Sequence, residues 1–288
     1  MKVLTRGSAL ALTQTRLVIS KLRELYPDRH FEEVIVKTTG DLKQGTAEAA
    51  LLDKRAWIDT LEEALISGAG DLAVHSGKDL PAELMSGTEA FAIFERETPN
   101  DTFIGRLVDG KRLKLSELPL GSKIGTASNR RRESLLSFRH DLEVVPLRGN
   151  VTTRIKKLDD GELDGAILAA AGVRRLGLEE GELLPLEFFV PAPAQGILAI
   201  QVRKGEAPNL VSKALNSVFL AERSFARALG ASCKSAIGAY AVIDDDKLIL
   251  TGAVYGKGCM KKEQISGLVF EATELGEQLA KRFGGLIC

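Results

Sequence analysis

Asp71-Leu72-Ala73-Val74-His75-Ser76-Gly77-Lys78-Asp79-Leu80-Pro81 is the stretch from which the rest of the chain is read. Leu72 to Val74 is a short apolar run of the kind that forms a buried strand. A glycine turn follows, then the Lys78-Asp79 pair, and Pro81 blocks regular structure beyond it. A strand that delivers a carboxylate and an ammonium to its C-terminal tip fits open α/β sheets, where ligands bind just outside the strand ends. An ordinary surface turn with a local ion pair has the same residues. The flanking sequence weighs between the two.

Outward from this strand, the pattern is strand, helix, strand, helix, strand. Lys2 to Arg6 reads as a first strand, and Gly7-Ser8 as the turn into a helix from Ala9 to Leu25. Ser8 is a good N-cap, and Leu10, Leu17, Leu22 and Leu25 contribute an apolar stripe. Arg6 and Ser8 therefore fall at a strand end and a helix start, where backbone N–H groups favour an anion. Val34 to Val36 is a second strand, residues 38–52 read as a loop over a site, and Trp57 to Ile66 as a helix. Phe91 to Phe94 follows the central strand. This alternation predicts an α/β fold with a parallel or mixed sheet.

Thr98 to Asp101 reads as a crossing into a second α/β set. That set comprises strand Lys123 to Gly125, helix Ser128 to Phe138, strand Leu142 to Leu147, helix Val151 to Leu158, strand Gly165 to Leu168 and a short helix through Arg174 and Arg175. Pro185 to Pro193 is the return crossing, and Ile197 to Val202 a strand that rejoins the first set. Two crossings between similar lobes predict a bilobal, periplasmic-binding-protein-like clamp with a ligand cleft. From Asn216 onward a helix, three strands and a closing helix make a small α+β domain. The boundaries expected are 1–97 with 196–215, then 98–195, then 216–288.

Composition narrows the partners. Hydrophobic content of 44% with 27% charged residues describes an ordinary globular protein. A formal net charge of zero argues against a nucleic-acid binder, which usually carries a basic excess. There is no apolar run long enough to span a bilayer and no signal-peptide pattern at Met1 to Arg6, so a cytoplasmic protein is expected. Cys233, Cys259 and Cys288 make neither a zinc pattern nor a disulfide framework, and no metal is expected. Nothing in the sequence calls for more than a monomer.

The arginines of the second lobe fall at element starts. Gly125-Thr126-Ala127-Ser128-Asn129-Arg130-Arg131-Arg132 runs from strand through turn into a helix, and Leu147-Arg148-Gly149-Asn150-Val151-Thr152-Thr153-Arg154 repeats the arrangement with Asn150 as N-cap. Arginine in the first turn opposes the helix macrodipole. An anionic ligand held by the N–H groups and guanidinium forks would offset that cost. Arg132, Lys156 and Lys157 read instead as a solvated face. No strand–GxxxxGK[ST]–helix loop is present, so a polycarboxylate is at least as good a ligand as a nucleotide.

Taken together, these stretches resemble the porphobilinogen deaminase (hydroxymethylbilane synthase) family. The likeness runs from Thr5-Arg6-Gly7-Ser8-Ala9-Leu10-Ala11-Leu12 through Ala73-Val74-His75-Ser76 with Lys78-Asp79, Gly125-Thr126 with Ser128 and Arg130-Arg131, and Leu147-Arg148-Gly149-Asn150-Val151 with Arg154. It continues through Ala171-Gly172 with Arg174-Arg175-Leu176-Gly177, Pro191-Ala192-Pro193-Ala194-Gln195-Gly196, and Glu222-Arg223 leading to Cys233. The resemblance implies a transferase that joins four porphobilinogen molecules into hydroxymethylbilane with release of ammonia. It implies a dipyrromethane cofactor on a thioether at Cys233, with Lys78 and Asp79 catalytic. Carried over by position, Lys78, Asp79, Ser128, Arg130, Arg131 and Arg154 hold the cofactor. Arg6, Ser8, Thr126, Arg148, Arg175 and Gln195 hold substrate. Asp53-Lys54-Arg55-Ala56-Trp57 stands where the family has Gly-Lys-Gly-Leu-Phe, so Lys54 keeps the lysine and Trp57 replaces the phenylalanine near the pyrroles. Around Cys233, Ala231, Ser232, Ser235 and Ala236 depart from the family's usual residues. The alternative from another class is a non-catalytic bilobal binding protein for a small polycarboxylate.

Overall fold

Strand β1 (Lys2–Thr5) starts a parallel ladder because its Val3 and Leu4 are wholly buried and pair with neighbours on both sides. The computed structural model describes residues 1–36, 54–179, 181–208, 211–230 and 235–284, and the side chains of residues 54–57 lie outside that description. Helix α1 (Ala9–Leu25) follows, then β2 (Glu32–Ile35), helix α2 (Lys54–Ile66), β3 (Leu72–Ser76) and β4 (Thr88–Ile93). The second set opens with β5 (Asp101–Gly105) and a short hairpin, β6 (Leu107–Val108) and β7 (Lys111–Arg112). It continues with β8 (Lys123–Gly125), α3 (Asn129–Phe138), β9 (Glu143–Val145), α4 (Val151–Asp159), β10 (Gly165–Ala169), α5 (Ala170–Arg175) and β11 (Glu182–Leu183). Strand β12 (Leu198–Arg203) and helix α6 (Lys213–Ala228) lead to β13 (Ile237–Asp244), β14 (Lys247–Gly256), β15 (Cys259–Leu268) and α7 (Ala272–Arg282).

The first sheet has the order β2-β1-β3-β12-β4 and the second β9-β8-β10-β5-β11. These are one plan used twice. In each, three parallel strands are followed by an antiparallel strand that the chain supplies at a crossing, and then by an antiparallel edge. Strand β12 lies antiparallel to β3, so the prediction that Ile197 to Val202 rejoins the first lobe is confirmed. The third sheet, β13-β14-β15, is a plain antiparallel meander with α7 against it. The fold class is α/β, two similar lobes with a small α+β domain.

The crossing strand β5 is absent from the sequence-based expectation, which treated Asp101 as the end of a linker. All of β5 is buried, and it pairs with β10 from Asp101↔Ala169 to Gly105↔Gly165. A second difference concerns α1. Val18, Ile19 and Leu22 are its buried apolar residues, while Leu17 and Leu25 are 46% and 55% exposed. The apolar face advances by three and four residues, and Leu17 falls a third of a turn off it.

The chain divides into two compact units. One comprises Met1–Arg96 with Ile197–Asn216, the other Glu97–Gly196 with Ser217–Cys288. The second unit thus includes both the second sheet and the meander.

Candidate active site

In the first unit, β1 and β3 are adjacent and parallel, with Val3↔Leu72 and Leu4↔Ala73 in register. Arg6 with Ser8 and the Gly77–Asp79 turn therefore leave the same C-terminal edge of the sheet. Ser8 caps α1, its hydroxyl accepting from the Ala11 N–H at 3.3 Å. Helix α1 is fixed to both strands below it. Gln14, which is buried, donates from Nε2 to Ser76 Oγ at 2.8 Å, and Thr15 Oγ1 donates to Thr5 Oγ1 at 2.7 Å.

The chain turns at Gly77–Asp79 in a single 3-10 turn, which explains how two adjacent charged residues emerge from a buried strand. The Gly77 N–H donates to the Ile197 carbonyl at 2.9 Å, and the Leu80 N–H returns to Gly77 O at 3.3 Å. Lys78 and Asp79 are half-buried between buried Gly77 and buried Leu80. Such flanks leave the pair little freedom to swing away. His75 is buried within β3.

In the second unit the C-terminal edge of its own sheet carries three of the other predicted residues. Thr126 follows β8, Arg148 follows β9, and Arg175 lies on α5, which follows β10 directly. The Thr126 N–H donates to Val145 O at 3.0 Å, and its Oγ1 accepts from the Ser128 N–H at 3.2 Å. Ser128 caps α3, accepting from the Arg131 N–H at 3.4 Å. Gly149 adopts φ 112°, a conformation that favours glycine, and Arg154 Nε reaches back to its carbonyl at 2.7 Å. Arg148 is exposed.

Arg130 and Arg131 lie deeper than a solvated helix face would place them, at 3% and 6% exposure. Both meet Asp101, the first residue of β5, which is completely buried. Arg130 Nη2 is 2.7 Å from Asp101 Oδ2, and Arg131 Nη2 is 2.8 Å from Oδ1. Arg130 Nη1 also donates to Val190 O at 3.0 Å, and Arg131 Nη1 to Ile167 O at 3.3 Å. Gln195 completes the group. Its Nε2 donates to Asp101 Oδ1 at 2.9 Å and to Pro99 O at 2.7 Å, and its Oε1 accepts from Arg131 at 3.4 Å. Burial alone would raise the Asp101 carboxyl, but the two guanidiniums and the Gln195 amide outweigh it and hold the group far below its ordinary range.

The charge cost of arginines in the first turn of α3 is thus met by a carboxylate inside the protein. Asp101 was not among the residues singled out from the sequence. Its signal was an acidic residue at the head of the apolar run Phe103-Ile104, a position where a charge must be paired if it is buried.

Next to this cluster, α5 grips both crossing segments. Arg174 Nη1 is 3.0 Å from Glu97 Oε1, and Arg175 Nη2 donates to Gly196 O at 2.8 Å. Gly196, at φ 87°, has no room for a side chain because a Cβ would collide with the Glu97 carbonyl. Desolvation lowers the Arg175 pKa against a weaker opposing pull from Glu97. Ala194 holds a left-handed φ of 61°, a strained value for a residue with a Cβ, and its N–H is held by Glu222 Oε2 at 2.6 Å.

Cys233 lies outside the described residues, as does the predicted loop at 38–52. Lys54 and Trp57 belong to α2, with their side chains outside the description. Among the described residues there is no group of three or more His, Cys, Asp or Glu that could hold a metal ion, and no helix long and apolar enough to cross a membrane.

The chain is similar to known proteins over nearly its whole length. The family model described as "Porphobilinogen deaminase, dipyromethane cofactor binding domain" matches residues 1–210, and "Porphobilinogen deaminase, C-terminal domain" matches residues 217–284. The porphobilinogen deaminase of Syntrophus aciditrophicus is 42% identical over 98% of this chain and 94% of its own length. Those of Clostridioides difficile and Thermus thermophilus are 41% and 42% identical, each over 96% of this chain and over 94% and 93% of their own lengths. Two matched domains and near-complete relatives at this identity mean that the chain belongs to the porphobilinogen deaminase family of enzymes, with that family's dipyrromethane-cofactor-binding domain.

Proposed function

We propose that this enzyme joins four porphobilinogen molecules head to tail, releasing one ammonia per unit, to give hydroxymethylbilane. The priming dipyrromethane is attached through a thioether to Cys233. One observation carries the reading. Lys78 and Asp79 are presented on a fixed turn at the C-terminal edge of β3, beside Arg6 and Ser8.

The donor set suits the cofactor. A dipyrromethane built from porphobilinogen carries acetate and propionate side chains, and the residues proposed to hold it are an ammonium, guanidiniums and a helix N-cap. Arg130 Nε is buried with no hydrogen-bond partner among the described residues, so the cluster retains an unspent donor. Lys78, Asp79, Ser128, Arg130, Arg131 and Arg154 form this group. When bound, the cofactor supplies the pyrrole carbon to which the first substrate unit is joined.

Substrate carboxylates fall to Arg6, Ser8, Lys54, Thr126, Arg148 and Arg175, with Trp57 offering a ring face. Gln195, expected from the sequence to join them, is wholly buried with its amide N–H groups donated to Asp101 and Pro99, and so supports the arginine cluster instead. As the aminomethyl C–N bond breaks and ammonia leaves, positive charge develops on the substrate pyrrole. Asp79 accepts from the pyrrole N–H and stabilises that charge. Lys78 binds a carboxylate and favours the ionised form of Asp79. Cys233 acts as a thiolate when the anchor is made.

Intact-mass measurement of the purified protein, with peptide mapping, tests the proposal. The expected increment equals two porphobilinogen units less two ammonias, located on Cys233. An unmodified mass that persists after incubation with porphobilinogen or hydroxymethylbilane would overturn the cofactor linkage and restore the binding-protein alternative.

A further inference from the structure

We propose that Asp101 is the positioning residue of the arginine pair, fixing the geometry in which the pair receives a carboxylate of the cofactor. The inference rests on the assignment of Arg130 and Arg131 to the cofactor made above, and adds to it a residue that touches neither substrate nor cofactor.

The argument is one of geometry and charge. Two guanidiniums side by side repel one another, and in a buried site that repulsion is poorly screened. Each oxygen of Asp101 takes one of them, Oδ2 taking Arg130 and Oδ1 taking Arg131, at 2.7 and 2.8 Å. Backbone carbonyls of Val190 and Ile167 take a further N–H from each arginine, and Gln195 closes the cluster by donating to Asp101 Oδ1. No guanidinium in this group is left to a rotamer of its own choosing. Arg130 Nε remains a buried donor without a partner among the described residues, so the held pair still has an N–H to offer a cofactor carboxylate.

The test follows covalent loading of the full chain produced without porphobilinogen. On mixing with hydroxymethylbilane, the Cys233 S–C bond forms as the hydroxymethyl C–O bond breaks and water leaves, and intact mass reads the adduct against time. Asp101→Asn, confirmed folded by circular dichroism, is expected to load between about ten- and a hundredfold more slowly at equal hydroxymethylbilane, the scale of effect when an orienting partner is lost. A residue serving stability alone would leave loading of the folded protein unchanged, and that result overturns the inference. If Asp101→Asn does not fold, Asp101→Glu decides. It keeps the charge but displaces both guanidiniums, and wild-type loading would overturn the inference equally. Arg131→Gln separates the two layers. Slow loading in Arg131→Gln with normal loading in Asp101→Asn defeats the positioning role alone, whereas normal loading in Arg131→Gln defeats the cofactor assignment and the inference with it.

Discussion

In the proposed mechanism a carboxylate meets a developing pyrrolic cation and so has to be both ionised and immobile, and the two sides of the Gly77–Asp79 turn would address these needs separately. Lys78 supplies a neighbouring cation, while the bonds from Gly77 to Ile197 and from Leu80 to Gly77 fix the backbone. Asp79→Asn preserves shape and hydrogen-bonding size but removes the charge. We expect kcat to fall by at least about a hundredfold, with the unfolding free energy changed by less than about 0.5 kcal/mol, as is usual outside tightly packed positions. Steady-state kinetics beside a urea melt would check both, and near-normal turnover would remove Asp79 from the proposed mechanism.

Among the elements, helix α3 has the most to hold in place. Three arginines in its first turn oppose its dipole, and its first turn contains no acidic residue to offset them. Ser128 is the local counterweight, accepting the Arg131 N–H at 3.4 Å. Replacing it with alanine leaves that N–H without its cap, and Ser128→Ala should lose about 1 kcal/mol of stability. The same variant should load cofactor more slowly, since the cap fixes the backbone that aims Arg130 and Arg131. A urea midpoint unchanged from wild type would show that the cap contributes nothing. Helix α1 balances differently. Its outward leucines, Leu17 and Leu25, gain it little, and its polar residues Gln14 and Thr15 fasten it to Ser76 and Thr5.

At the scale of the whole molecule, the carboxyl groups among the described residues that are held below their ordinary range, Glu97, Asp101 and Asp141, all lie in the second unit. The folded-state pKa of Asp101 is depressed below its ordinary value of 3.8, so its contribution to stability is complete above that pH and is lost as pH falls through and below it. At pH 7, Asp101→Asn should cost about 3–5 kcal/mol, the price of leaving two buried guanidiniums without their anion. That difference from wild type should shrink progressively below roughly pH 4. Denaturant melts at pH 7, 4 and 3 would check it, and a difference that stays constant with pH would mean that Asp101 is not ionised in the fold. The second unit also ties the meander to the arginine cluster. The Tyr255 hydroxyl accepts from the Val190 N–H at 2.8 Å and donates to Phe188 O at 3.1 Å, while Val190 O receives Arg130. Burial, the dominant cause, pushes the phenol up to about 12, so Tyr255 remains a neutral donor throughout the physiological range.

Much of this architecture was legible beforehand because it follows from local chemistry. The start of α1 follows from Ser8, β3 from an apolar run closed by glycine and proline, and the return of β12 to the first sheet from a second apolar run after Pro193. The arginines at strand–helix turns were visible as a motif, and the parallel sheets then placed their turns on one edge. Strand β5 and the role of Asp101 were not visible. A strand begun by a charged residue reads as a linker until the two guanidiniums that neutralise it, 29 and 30 positions further on, are brought against it. Periodicity in a sequence reports that a residue is buried, and local chemistry sets where elements begin and end. Which distant charge a buried charge meets depends on strand order and register, and only the tertiary structure decides that.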